Sequence, residues 1–443
     1  VRSNEAYLAT ARERRSVVNL CKLIGYQLDG VVSSTTVLEF KVESVNSNST
    51  IEIPAYTVVS GADDIRFATT ERVFIAAGTS SAIVGARQGS PIRLLRRGNG
   101  LPTQKIALPD TEVDLLSIRV VIDGVVWEKI DSFVGSQSSS THFTATIDYT
   151  NAVTVTFGDG FFGKVPPLSF SDNTVITYLV SNGPLGNVGF GTVSTLASEI
   201  NDTAGNPVSL SVRNIQAATG GSSRESIDHA RTQGPAELST LFRAMTKSDF
   251  KILAEGFRGI SKANAWGEQE SSPPNHDMFN WVLITAAPDG LTRPLLVESV
   301  LNGSLSQQLK DDLFGFLVGR SAITTRIKIM DPVYVPIDLS IRVFSKVGFL
   351  IPNVRSAVQE ALISFFDVES MDFGREIRLS NVVGAVDRVS GVSYLEVDVL
   401  DRDAGDGAMN TLVMQLHELP FLNSLTLIVE EVVSLPLVST LVP

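Results

Sequence analysis

The stretch TFGDGFFGKVPP, residues 156–167, decides between two folds. Gly158, Gly160 and Gly163 fit G-x-G-x-x-G, and Lys164 follows at once. That is the spelling of a nucleotide-binding loop, in which a strand, a glycine turn and a helix N-terminus cradle a phosphate. The strand is present, because Val153, Val155 and Phe157 alternate with Thr154 and Thr156. The helix is not. Pro166 and Pro167 stand where its first turns would run. An interior proline costs about 3 kcal/mol, and Pro167 also drives Pro166 out of the α region. A second β-like run, TVITYLV (174–180), follows. The glycines therefore read as a structural turn joining two strands of a β-domain, built on Gly158, Asp159, Gly160 and Gly163.

Composition bounds the classes of partner. Its 443 residues suffice for about three domains. A net charge of −12 argues against a nucleic-acid partner, since phosphate contacts need a basic face. The basic clusters RERR (12–15) and RLLRR (93–97) read as solvated or partner-facing patches. A single cysteine, Cys21, excludes an internal disulfide framework and reads as a buried thiol. No apolar run approaches the roughly 18–20 residues that span a bilayer, so no membrane partner is expected. The opening VRSNEAYLATARERR is polar and helix-forming, unlike a signal peptide.

The periodicities predict an α+β, multidomain chain. Residues 1–31 hold one helix over 4–24, with Val17, Leu20, Cys21 and Ile24 as its apolar stripe and Gly25 as its stop. Residues 32–215 form a mainly-β domain with a glycine-turn hairpin. It contains TTVLEFKV (35–42), YTVVSG (56–61), RVFIAAG (72–78) and a hairpin at Asp123-Gly124. SVNSNST (44–50) and VGSQSSSTHF (134–143) read as polar loops. QAATGGSS (216–223) reads as a flexible joint, with Gly220 and Gly221 as a candidate hinge or plain linker. Residues 216–330 then read α-β-β-α-β, with a capping box from Thr246 to Asp249. Residues 331–443 repeat a similar rhythm, with Ser380 as a candidate N-cap. Two tandem α+β modules are expected.

The residue types needed for catalysis are scattered. His142, His229, His276 and His417 have no second ligand at zinc-site spacing. No G-x-S-x-G elbow anchors a hydrolase triad. DRDAGDG (401–407) opens like a calcium loop but has Asp406 where glycine is required and Leu412 at the position of the closing Glu. Sequons at Asn48, Asn201 and Asn302 carry no meaning without secretion. No catalytic residue, cofactor or metal is expected, and chains of this kind work through surfaces.

Several stretches, taken in order, resemble the baseplate J-like wedge proteins of contractile phage tails and related injection machines. ATARERRSVVNLCKLIGYQL (9–28) resembles the family's arginine-bearing helix ending in L-x-G-Y. IEIPAYTVVSGADDIRFATTERVFIAAG (51–78) resembles its I-P-x-x-T-x-V and F-x-T-T-E block, with Tyr56 where glycine is common. VTFGDGFFGKVPP (155–167) and YLVSNGPLGNVGFGTV (178–193) resemble its paired F-G-D-G and G-x-x-G-N-V segments, which adds Gly186 and Asn187 to the structural turns. FRAMTKSDFKILAEGFRGISKANAW (242–266) and GREIRLSNVVGAVDRVSGV (374–392) resemble two later helices. The series covers nearly the whole chain.

The resemblance implies a structural virion protein of the tail baseplate, assembled in the bacterial host cytoplasm. It implies a homodimer, a ring in a six-fold baseplate, a second and smaller wedge subunit, and neighbours at the hub, spike and sheath. Under it the N-terminal helix joins a partner bundle, and the modules from about residue 331 make the ring contacts. The rival expectation is a tail-associated carbohydrate-binding or hydrolysing protein, with a groove, two close carboxylates and aromatic platforms; the scatter of its three tryptophans, Trp127, Trp266 and Trp281, counts against it.

Overall fold

Alternating and helical patterning resolve into an α+β, multidomain structure. The computed structural model describes residues 4–43, 49–270, 279–290, 305–368, 370–402 and 410–431. Most of SVNSNST and DRDAGDG, together with His276, Asn48 and Asn302, lies outside them. Six α-helices are described: α1 Arg14–Leu23, α2 Ile227–Ser239, α3 Lys247–Glu255, α4 Gln307–Val318, α5 Ile351–Phe365 and α6 Leu379–Asp387.

The N-terminal helix is shorter than the expected 4–24. Asn4–Ala6 form a 3-10 turn, and α1 begins at Arg14. The Glu5 carboxylate accepts from the backbone N–H groups of Arg12 (3.0 Å) and Glu13 (3.2 Å). The chain therefore folds back between the two instead of continuing as one helix.

Two sheets fill the β-rich region. A six-stranded antiparallel sheet has the order Val193–Leu196, Val58–Gly61, Arg66–Thr69, Ser81–Gln88, Thr35–Val42, Leu210–Asn214. A seven-stranded sheet has the order Ser90–Arg96, Thr174–Val180, Arg119–Ile122, Val125–Lys129, His142–Ile147, Val153–Phe157, Lys105–Ala107. Its hairpin at Asp123-Gly124 has left-handed backbone at both residues (φ 49° and 80°), as a two-residue turn requires. Val153, Val155 and Phe157 point into a core with Trp127, Phe143, Ile176 and Tyr178, while Thr154 and Thr156 face outward.

The expected glycine-turn hairpin does not form. Val153–Phe157 and Thr174–Val180 are not neighbours, because three strands stand between them. Val153–Phe157 pairs with His142–Ile147 and Lys105–Ala107, whereas Thr174–Val180 pairs with Ser90–Arg96 and Arg119–Ile122. The loop 158–173 thus crosses from one part of the sheet to another. Loop 97–104, which joins the two edge strands, runs beside it: Ser169 N donates to Gly98 O and Thr103 N to Gly158 O, each at 3.0 Å. The serine-rich stretch also ends sooner than expected, since HFTATI (142–147) is a strand with Phe143, Ala145 and Ile147 inward.

The first small module orders Ile260–Gly267, Trp281–Pro288 and Arg326–Met330, antiparallel then parallel. Helices α3 and α4 cover it through Phe250, Leu253, Leu309 and Leu313. The capping box is present: Thr246 Oγ1 accepts from Asp249 N (3.2 Å) and the Asp249 carboxylate from Thr246 N (2.8 Å). Helix α2 gave no sequence signal, because Gly234-Pro235 inside it reads as a breaker.

The C-terminal module orders Val392–Asp401, Val333–Ser345 and Glu418–Glu431. Its first pair is antiparallel and its second parallel. Helices α5 and α6 cover one face with Val354, Val358, Leu362, Val382 and Val386. Ser380 is not the N-cap of α6; Arg378 holds that position, and no side chain caps it. Both modules flank a central strand with one antiparallel and one parallel neighbour, but the central strand comes second in the first module and first in the other.

Leu313→Ala is expected to destabilise the protein by about 2–5 kcal/mol, because the side chain is fully buried between α4 and its sheet. The exposed Leu23→Ala should change stability by less than about 0.5 kcal/mol. Urea unfolding of both variants checks this contrast, and equal losses would contradict the packing described.

Candidate functional site

The glycine loop is built to hold itself. Asp159 Oδ1 accepts from the N–H groups of Phe161 (2.8 Å) and Phe162 (2.7 Å). These bonds, that from Phe162 first, hold its carboxyl below the usual range. Gly160 N donates to Gly163 O (3.0 Å), Gly163 N to Gln137 O (3.2 Å) and Lys164 N to Ser140 O (2.8 Å). Gly160 and Gly163 have φ of 91° and 84°, and a Cβ on Gly158 would lie 2.3 Å from the Gly163 carbonyl. The N–H groups that would meet a phosphate are therefore spent within the protein. A carboxylate sits among them, and no helix begins between 158 and 173. What the loop offers to solvent is Phe161 and Phe162.

Asn187 meets Gly221, and Gly186 beside it meets Ser34, juxtapositions with no trace in the sequence. Asn187 Nδ2 donates to Gly221 O (2.8 Å), and Gly221 N donates to Asn187 Oδ1 (2.9 Å). Ser34 Oγ donates to Gly186 O (2.6 Å). A Cβ on Gly221 would lie 2.6 Å from Gly183 O, so two chain segments touch through bare backbone. Residues 216–223 are strapped to the first strand as well, by bonds between Thr219 and Thr35 and between Ser222 and Val32. The stretch expected as a flexible joint is thus buried and paired, and motion at Gly220-Gly221 would require opening the Asn187 clamp. Tyr56 has a left-handed backbone, φ 64°, a conformation that favours glycine over a bulky side chain.

The apolar stripe of α1 is covered by the chain itself. Val17 and Cys21 are fully buried with Tyr26, Leu28 and Ala230 of α2, and Leu20 and Ile24 pack at the margin. Burial pushes the Cys21 thiol up to about 11. Beside this cluster lies a charged junction that sequence reasoning missed. Glu225 accepts from Tyr26 Oη (2.6 Å), from Asp29 N (3.0 Å) and from His229 Nδ1 (2.8 Å), and Arg258 Nε pairs with Asp29. Its members come from three separate stretches, so no spacing could announce it. The bond to Glu225 raises His229, while burial raises Glu237 on the same helix to about 7.

The chemistry of a hydrolase finds little support. Ser136 Oγ lies 2.9 Å from His142 Nδ1, and His142 Nε2 lies 3.6 Å from Glu128. That line resembles a triad, but the carboxylate is exposed and too distant to orient the ring by a hydrogen bond. Trp127 and Trp266 are core residues rather than sugar platforms; Trp127 packs edge-on against Phe157 at 5.3 Å. Among the described residues, no three His, Cys, Asp or Glu side chains group as metal ligands. No described helix is long and apolar enough to cross a membrane.

No family model matches the chain, and no curated protein matches it. Two solved structures with which it shares likeness come from baseplates. One is a chain of the anti-feeding prophage baseplate, six-fold symmetrised, at 13% identity over 95% of this chain and 83% of that one, with a TM-score of 0.35. The other belongs to the TssK-TssF-TssG baseplate subcomplex of a type VI secretion system, at 8% identity over 71% and 92%, with a TM-score of 0.28. Superposition at that level is too loose to argue a shared role.

Two outcomes are expected at these sites. Millimolar ATP with magnesium should leave the melting temperature of the chain unchanged, and a rise of several degrees would contradict the self-satisfied loop. Between the ordinary Glu value of 4.5 and about 7, folded Glu237 binds more protons than the unfolded chain, and His229 extends this above its ordinary 6.5. Stability from this pair is therefore lost as pH rises through that window. Urea midpoints at about pH 5 and pH 8 should differ less in Glu237→Gln than in the parent; identical differences would remove Glu237 from the junction's titration.

Proposed function

We propose that the chain is a structural wedge subunit of a contractile-tail baseplate, acting through interfaces and without catalysis. One observation carries the reading: the ordered series of segments between residues 9 and 392 that resembles the baseplate J-like family. The self-satisfied glycine loop agrees with it, because the same residues that spell a nucleotide motif are spent on loop structure.

In this reading the chain pairs with a second copy and with a smaller wedge subunit, and repeats around a hub and spike. The divisions at about 31, 215 and 330 separate a helix, a mainly-β body and two α+β modules, the last of which makes ring contacts. Stable contacts of this kind bury on the order of 1,200–2,000 Å² each. If each subunit favours the resting arrangement by about 1–2 kcal/mol, six copies together hold the sheath extended until a trigger arrives. Contraction then begins by rigid-body rotation about interfaces.

The test is cryo-electron microscopy of contractile particles from the host, with antibody against the purified chain as the label. Label and matching density at the tail baseplate are expected. Absence from the baseplate, or turnover of an oligosaccharide by the purified chain, would defeat the reading.

A further inference from the structure

The seven-stranded sheet ends in a surface that its own core does not use. Loops 97–104, 131–141 and 158–173 meet there through backbone bonds from Thr103 to Gly158, Ser169 to Gly98 and Gly163 to Gln137. They project Phe170 (90% exposed), Phe161 (82%), Leu168 (64%) and Leu101 (61%). Large apolar side chains gathered on one loop system mark an interaction site. The Asp159 turn fixes the loop before any partner arrives, which lowers the ordering cost of binding. Arg93, Arg96, Arg97, Lys105 and Lys164 lie on or beside these loops together with Asp123, Asp131, Asp159 and Asp172. Asp159 is occupied by backbone N–H groups, Asp172 by Arg97, Asp131 by Arg320 and Asp123 by Asn173. Arg93, Arg96, Lys105 and Lys164 remain as a basic rim without an ion pair among the described residues, within a protein of net charge −12.

A complementary surface lies on the same chain. Helices α5 and α6 cover the inner face of the C-terminal sheet, and among the described residues the outer positions Tyr394, Glu396, Ile428 and Glu430 are exposed. Following the strand register, that face carries Asp338, Glu396, Asp398 and Glu430 around Arg342, which lies 3.6 Å from Glu396 and 3.5 Å from Asp398. Its apolar part is Phe344 stacked on Tyr394, with centroids 4.2 Å apart, and Ile428 nearby. Tyr394 is 46% exposed and Ile428 40%.

We infer that the loop tip of one copy docks on the outer face of the C-terminal sheet of a second copy. Phenylalanine and leucine at the tip cover Tyr394 and Ile428, and the basic rim answers the acids. The two patches differ, so the contact is head-to-tail and propagates to a closed ring or a filament. It deepens the ring assignment above and rests on that reading only for closure. An anionic bilayer fits the tip less well, since the rest of the molecule is acidic and would be repelled.

Sedimentation velocity of the purified full chain tests it. Concentration-dependent association is expected, weaker at high salt. F161S with F170S should raise the dissociation constant at least about tenfold, the effect of one interface anchor. K164E with R96E should do the same, and mixing that variant with E396K/D398K should restore association. Retained far-UV circular dichroism and urea midpoints show that the variants are folded. A monomeric parent, unchanged association in the tip variants, or no restoration on mixing would each overturn the contact. So would flotation of the parent, but not of F161S/F170S, with phosphatidylserine vesicles. Baseplate labelling that persists despite any of these failures would leave the wedge reading standing and remove only this contact.

Discussion

Arg87 lies where three parts of the chain converge. Its guanidinium leaves the six-stranded sheet, pairs with Asp312 on α4, and lies 3.6 Å from Asp114 beside the seven-stranded sheet. Arg87 and Asp114 are buried, so both charges have given up water. A buried ion pair of this kind adds little net stability over an apolar contact, yet removing one partner leaves an uncompensated charge and costs several kcal/mol, about 3–5. The constraint is therefore one of relative placement: the two sheets and the first small module fit together in the arrangement that satisfies this side chain. Gln88, the next residue, extends the junction by accepting from Ser181 Oγ (2.8 Å) and Asn182 N (2.9 Å).

Local structure was legible in the sequence wherever one element's own pattern decides it. Thr35–Val42 and the Asp123-Gly124 hairpin fell where alternation and turn chemistry put them. The Thr246–Asp249 cap did too, since both halves of that bond lie three residues apart. Pairing between distant strands was not legible. Nothing in Val153–Phe157 says that its neighbours are His142–Ile147 and Lys105–Ala107 rather than the strand that follows it. The start of α1 was lost for a related reason: a carboxylate eight residues away competes for N–H groups that periodicity assigns to a helix. The clamp of Asn187 on Gly221 and the cluster around Glu225 were beyond reach, because their members are joined by the fold alone.

The opening motif shows how a spelling can serve different physics. In a phosphate-binding loop, glycines free backbone N–H groups to face an anion. Here the same glycines let the chain double back until Gly158 touches the Gly163 carbonyl, and the N–H groups are consumed on the way. The energy of the loop goes into shape, and the shape lifts aromatic side chains into solvent. The C-terminal sheet follows a comparable logic, with one face closed by two helices and the other, among the described residues, exposing acids beside Tyr394 and Ile428.

The long central strand of that sheet has a mechanical meaning. Val333–Ser345 and Glu418–Glu431 run in the same direction and stay paired from Val333–Glu418 to Ser345–Glu431, interrupted by a single register shift after Ile337. Tension applied at opposite ends of two such strands is borne lengthwise, so many bonds must yield together before either strand slides. A zipper loaded from one end would yield bond by bond. The module can thus carry traction along its strands while remaining easy to peel sideways, a directional stiffness set by strand polarity alone.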